Sequence, residues 1–148
     1  MVFSIGALSK ATGVKVPTIR YYEEIGLLPE AERNAGNQRR YGQEGLEALG
    51  FIKHARDLGF ALEDIKVLMA LDGELGTDCA EANRIARAQL DQVRARIARL
   101  QQLASELERI AHLCDGGDGG QCKVLTALGD HSQCTAEHAP LPVTKSGC

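Results

Sequence analysis

The sequence predicts a mainly α fold in two parts: a group of short helices, then one long helix built to pair. Three observations predict it. Glycine, proline and asparagine cut residues 1–71 into short segments, each carrying apolar residues three and four apart. The run from Cys79 to Cys114 contains neither glycine nor proline. Along that run most positions taken alternately four and three apart are apolar, which is the heptad spacing of a coiled coil.

The elements follow in order. Ser4 can cap a short helix that runs to about Ala11, with Ile5 and Leu8 facing inward. The stretch ATGV turns at Gly13. A second helix begins near Pro17, a residue suited to a first turn, and stops at Gly26. Two short helices about a glycine-containing turn make a helix-turn-helix. In LLPEAERNAGNQRRY, Pro29 and the cluster Asn34-Ala35-Gly36-Asn37 break any helix and predict a hairpin. A third helix, about Gln43 to Leu58, carries Leu46, Leu49, Phe51 and Ile52 and ends at Gly59. A fourth, about Leu62 to Leu71, carries Leu62, Ile65, Leu68 and Met69.

Residues 72–78 read as a hinge. The long helix, 79–113, has the seam Cys79, Asn83, Ala86, Leu90, Val93, Ile97, Leu100, Ala104, Leu107, Ala111, continuing to Cys114. The other helices are too short to cover it, so the expected cover is a second copy of the chain. Residues 114–130 hold a glycine-rich loop, CDGGDGGQC, and a short amphipathic piece from Lys123 to Leu128. Residues 131–148 read as a flexible tail.

Composition narrows the function. The chain has 148 residues, 44% apolar and 25% charged, which suits one domain with an appendage. It has no Trp and only 4% aromatic residues, which argues against a large aromatic pocket for an organic ligand. No apolar run approaches the roughly 20 residues of a membrane span. The start, MVFSIGALSK, lacks the basic and long apolar parts of a signal peptide, so a cytoplasmic protein without a membrane partner is expected. No nucleophile–base pair, phosphate-binding glycine loop or acid–base carboxylate pair points to an enzyme. The net charge is −3, but residues 1–60 hold eight Lys/Arg against seven Asp/Glu, and residues 61–148 nine against thirteen. The total therefore hides a more basic first half.

Five cysteines, Cys79, Cys114, Cys122, Cys134 and Cys148, in a reducing compartment point to metal binding or redox sensing rather than a disulfide frame. Cys79 and Cys114 lie 35 positions apart in one seam, roughly 50 Å along a helix. They cannot share an ion within one straight helix. Two copies paired antiparallel about the point between Arg96 and Ile97 bring position 79 of one across from position 114 of the other. The loop can then fold Cys122 back beside Cys114, and three thiolates converge at each end of the pair. Soft thiolates select Zn, Cu(I) and heavier thiophilic ions, and three of them suit a divalent ion better than Cu(I). Zn usually takes a fourth ligand, which His112, Asp115 or water could supply. His131, Cys134 and His138, with Cys148, form a possible second site in the tail. The same thiols would also serve a redox switch, or a cytosolic metal buffer or chaperone.

The first half carries Lys15, Thr18, Arg20, Tyr21 and Tyr22 on or near the second helix. The hairpin adds Arg33, Asn37, Arg39, Arg40 and Tyr41, and the third helix Lys53 and Arg56, with His54 as a surface or phosphate contact. Cations and hydroxyls of this kind reach phosphates and base edges. Around a helix-turn-helix they indicate a winged helix-turn-helix DNA-binding domain.

At these residues a resemblance is plain. IGALSKATGV, TIRYYEEIGLL, the R-x6-RY of the hairpin, and FIKHARDLGF followed by L-x-x-I resemble the mercury-resistance regulator (MerR) family over residues 3–70. The resemblance implies a homodimer joined by a long antiparallel dimerisation coiled coil, with two winged helix-turn-helix domains on a palindromic promoter. It implies an activator that, with its effector, distorts an over-long promoter spacer for RNA polymerase. Cys79, Cys114 and Cys122 match the three-cysteine pattern of the divalent-metal branch, which senses Zn, Cd, Pb or Hg in control of heavy-metal resistance or efflux. Copper sensors of the family carry Ser where this chain has Cys79, and the clustered cysteines of the redox branch are absent. Zinc sensors have adjacent cysteines and a loop His. Here Asp115 follows Cys114 and the loop has no His, which favours one three-thiolate ion, although the VTKSGC ending is similar to zinc members.

Overall fold

A computed structural model of the chain describes residues 1–72, 79–113, 122–130 and residue 132. It divides into two compact units, Met1–Gln89 and Leu90–Cys148.

The first unit opens with a two-residue strand, β1 (Phe3–Ser4), and runs directly into α1 (Ile5–Thr12). The Ser4 hydroxyl accepts the Ala7 amide at 3.2 Å, which satisfies one of the donors a helix start leaves open. Gly13 closes α1 at φ 74°, and its amide donates to Ser9 O at 2.8 Å. The second helix, α2 (Val16–Glu24), has its proline in the first turn, where no amide is missed. Gly26, at φ 73°, turns the chain out of α2.

The hairpin pairs β2 (Glu32–Arg33) with β3 (Arg39–Tyr41) in antiparallel register, Glu32 opposite Arg40 and Arg33 opposite Arg39. Asn34 organises the turn: its Oδ1 accepts the Gly36 and Gln38 amides at 3.0 and 2.9 Å. Asn37 takes the left-handed conformation, φ 60°, which asparagine tolerates better than most residues. A third strand, which periodicity did not predict, completes the sheet: β1 lies on the other side of β3, in the order β1-β3-β2. Two residues are too few to show alternation, and only the approach of β3 makes Phe3–Ser4 a strand.

Two further helices, α3 (Gln43–Asp57) and α4 (Leu62–Asp72), close the unit. Leu8, Ile19, Leu28, Leu49, Ile52 and Ile65 are fully buried together, one or two from each helix and one from the segment after α2. Phe51 departs from its expected company. It is 39% exposed, because Leu49 and Ile52 already take the inward positions of that turn.

The long helix is α5 (Ala80–Ala111) and the short one α6 (Lys123–Gly129). At 32 residues α5 is about 48 Å long. Pairs three apart, Glu81–Arg84 and Glu106–Arg109, bridge successive turns. Both helices lie within two residues of the spans expected for them. Residues 73–78 of the expected hinge at 72–78, residues 114–121 of the expected loop and nearly all of the expected tail lie outside the described residues.

Two glycines, one inside α3 and one just past its end, test the backbone argument. Gly59 ends α3 at φ 87°, whereas Gly50 sits exposed inside α3 with open space where a Cβ would go. Gly59→Ala should cost about 1–2 kcal/mol, because an L side chain resists the left-handed region. Gly50→Ala should instead stabilise by about 0.5–1 kcal/mol through helix propensity. Thermal unfolding of the two variants should therefore shift in opposite directions.

Candidate nucleic-acid interface and thiolate positions

The outward face of α2 is set by its inward one. Ile19 and Tyr22 are buried three residues apart, so Lys15, Arg20 and Tyr21 are left exposed, with Thr18 half-buried between them. The turn before α2 is tied by one side chain. The Thr12 hydroxyl donates to Leu8 O at 2.8 Å and accepts the Val14 amide at 3.3 Å, while Val14 plugs the gap below.

The wing carries exposed Arg33 and Asn37, and the Arg33 Nη1 donates to Asn37 O at 3.0 Å across the turn. Arg40 is half-buried on β3. Arg39 and Tyr41 turn the other way. The Arg39 Nε donates to Glu23 Oε2 at 3.3 Å, and the Tyr41 hydroxyl donates to Glu23 Oε1. Tyr22 and Tyr41 are both buried, so their rings serve the core, and Tyr21 is the exposed tyrosine of the pair. Burial, then the hydrogen bond to Glu23, pushes the Tyr41 pKa well above its ordinary value, so the hydroxyl stays a donor at neutral pH.

On α3 the Lys53 ammonium pairs with Asp57 at 2.5 Å, and the Arg56 Nη1 donates to Phe60 O at 2.7 Å. His54 is exposed beside them. An exposed pair four apart on a helix is worth only about 0.3–0.5 kcal/mol, so Lys53 can exchange Asp57 for a phosphate at little cost. A hollow of about 520 Å³ opens beside Arg40, but Glu30, Glu32 and Glu44 line it, the wrong sign for a polyanion. Glu23 is the residue that reading the motifs missed. Its signal was a carboxylate three positions from Arg20 on a helix otherwise read as basic.

The thiols occupy a different kind of position. Cys79 is exposed just before α5, and its carbonyl accepts the Asn83 amide at 2.8 Å. Cys122 is half-buried at the N-cap of α6, and its carbonyl accepts the Thr126 amide at 3.1 Å. Each therefore stands where a helix begins. Near the end of α5, the His112 Nδ1 donates to Glu108 O at 2.8 Å. Cys114, Asp115, His131, Cys134, His138 and Cys148 lie outside the described residues. Among the described residues no three of His, Cys, Asp and Glu come together as a metal site.

Residues 3–72 match the MerR HTH family regulatory protein, and residues 46–110 match the family described as MerR, DNA binding. The mercuric resistance operon regulatory protein of Serratia marcescens is 37% identical over 126 residues, covering 84% of this chain and 86% of that protein. Heavy metal-dependent transcription regulator 2 of Rhizobium meliloti (strain 1021) is 34% identical over 129 residues, covering 87% of this chain and 88% of that one. Among solved structures, the transcription regulator PbrR691 from Ralstonia metallidurans CH34, in complex with lead(II), superposes with a TM-score of 0.72. It shares 35% identity and covers 85% of this chain and 98% of its own.

If these cations grip phosphates, Arg20→Gln and Arg40→Gln should each flatten the plot of log affinity against log salt. The slope should fall by about 0.9 for each phosphate contact removed. Fluorescence anisotropy on a duplex selected from a random pool, measured across a salt series, reads that change.

Proposed function

The chain belongs to the MerR HTH family of regulatory proteins, and from that premise we propose that it is a homodimeric, metal-responsive activator of transcription. The effector class is a thiophilic divalent ion, Zn, Cd, Pb or Hg, and the controlled genes are those of heavy-metal resistance or efflux. The target is a palindromic promoter with an over-long spacer, which the dimer distorts for RNA polymerase. No catalytic step and no membrane contact enter this reading, and the site of action is the cytoplasm.

The observation that carries the reading is the apolar stripe on α5. Leu90, Val93, Ile97, Leu100 and Leu107 fall in the heptad seam, and each is between 37% and 61% exposed. Ala86, Ala104 and Ala111, in the same seam, are exposed as well. Burying a single large aliphatic side chain is worth about 1.5–3 kcal/mol, so a stripe of five is a strong drive to pair. A second copy run antiparallel covers it with the same residues. That pairing also sets Cys79 of the partner subunit across from Cys114, with Cys122 returned beside it by the glycine loop.

Three thiolates fit the proposed ion by donor chemistry, being soft and anionic. They would hold it at each end of the coiled coil, and the ion would supply a bridge between two chains. The chain's own contribution is mechanical. Residues 72–78 act as the hinge, and residues 114–130, including α6, act as the moving part. Closing that part against the partner favours one angle between the two DNA-binding units. Bending and untwisting a promoter costs several kcal/mol, on the order of 1–6 for a smooth bend, so the closed dimer must be favoured by a comparable amount.

Two outcomes test this. Ile97→Glu changes a residue that is exposed in the single chain, so the fold should survive while sedimentation equilibrium reports a monomer. Cys79→Ser should keep DNA binding without metal but lose the response to Zn, Cd, Pb and Hg, read as transcription from the selected promoter. Full induction of Cys79→Ser by any of the four ions would remove the site that joins the two chains. Induction by oxidant rather than metal would instead favour the redox switch.

A further inference from the structure

Glu23 stands on the helix that presents Arg20 and Tyr21, yet its side chain is only 7% exposed. A carboxylate free on that face would repel a polyanion. Here it is turned inward and held at two points. Its Oε2 accepts Arg39 Nε at 3.3 Å, and its Oε1 accepts the Tyr41 hydroxyl. Arg39 and Tyr41 are the two ends of β3 and, being two apart, share one face of the strand. Two grips on one strand fix its tilt as well as its distance from α2. Since β3 is the central strand, the whole wing follows. Arg20 is close enough for its charge to act on Tyr41 alongside Arg39 and Glu23, so the four groups form one electrostatic cluster.

We propose that Glu23 is a positioning residue that sets the wing against α2, and that Arg39 serves it as an internal brace rather than as a phosphate contact. The proposal rests on the DNA-binding reading above. It divides the basic residues of the wing by task. Arg39, with its side chain 28% exposed, has its charge balanced within the protein, whereas Arg40 lies on the opposite face of β3 and exposed Arg33 at the turn. Charge-assisted bonds to one carboxylate are stronger and more directional than neutral ones, which suits them to holding an angle.

The test uses the full-length protein and a duplex that the unaltered protein selects from a random-sequence pool. Arg20→Gln and Arg40→Gln first identify, by phosphate ethylation interference, the phosphates met by α2 and by the wing. In Glu23→Ala the wing signals should fade while the α2 signals persist, and Glu23→Gln, which keeps an oxygen for Tyr41, should restore part of them. Arg39→Gln should weaken binding without changing the salt slope, whereas Arg40→Gln lowers that slope by about 0.9 per contact. Glu24→Gln, an exposed neighbour on α2, controls for loss of one negative charge. Uniform fading of both sets of signals in Glu23→Ala, or a salt slope lowered as much by Arg39→Gln as by Arg40→Gln, overturns the proposal. If the unaltered protein selects no duplex, it is the DNA-binding reading that fails. The brace is then read without DNA from thermal unfolding of Glu23→Gln, Arg39→Gln and the double variant. Less-than-additive shifts support a shared contact, and additive shifts overturn it.

Discussion

Helices of eight to fifteen residues do not persist alone in water, so the first 72 residues hold together through one shared core. Leu8 of α1, Ile19 of α2, Leu49 and Ile52 of α3 and Ile65 of α4 are each fully buried against the others. Every outward face is a consequence. Once Ile19 and Tyr22 point inward, the helical period leaves Arg20 and Tyr21 on the surface. Once Tyr41 is buried, β3 is drawn to the core, β1 can pair with it, and the turn at Asn34 is carried out as a wing. The proposed interface with DNA is thus the complement of a hydrophobic core, and the proposed brace at Glu23 would join its two parts.

The long helix obeys a different rule. Its ends have cover, at Ile85 and at Ile110, but its middle presents apolar side chains to solvent. Ion pairs three apart, such as Glu81–Arg84, stiffen the polar side but contribute little burial. A helix of this composition suits pairing with a second copy. The proposed antiparallel pairing completes it, and the same geometry turns thiols remote along one chain into neighbours across two. Placing Cys79 and Cys122 at helix starts suits that purpose, because a helix end is a fixed point from which a short segment can close.

Much of this was legible beforehand because it depends on neighbours in the chain. Ser4 as a cap, Pro17 in a first turn, Gly13, Gly26 and Gly59 as stops, and the heptad run of α5 are local signals, and each element lies within about two residues of its expected span. The basic and hydroxyl residues around the helix-turn-helix could be grouped as candidates, because cations and hydroxyls in that context have a recognisable use. Which of them faces outward was less legible. Periodicity grouped Phe51 with Leu46, Leu49 and Ile52, and treated Tyr22 like Tyr21, yet Phe51 is exposed and Tyr22 is buried.

The amino-acid sequence by itself determined the helices, their ends and the seam of α5, since these follow from spacing and side-chain type. Only the tertiary structure decided that β1 is a strand, that Tyr41 lies in the core, and that Glu23 and Arg39 turn toward each other. The physical reason is distance along the chain. Glu23 meets Arg39 and Tyr41 across 16 and 18 positions, and such a meeting depends on how the core packs, which no local pattern encodes.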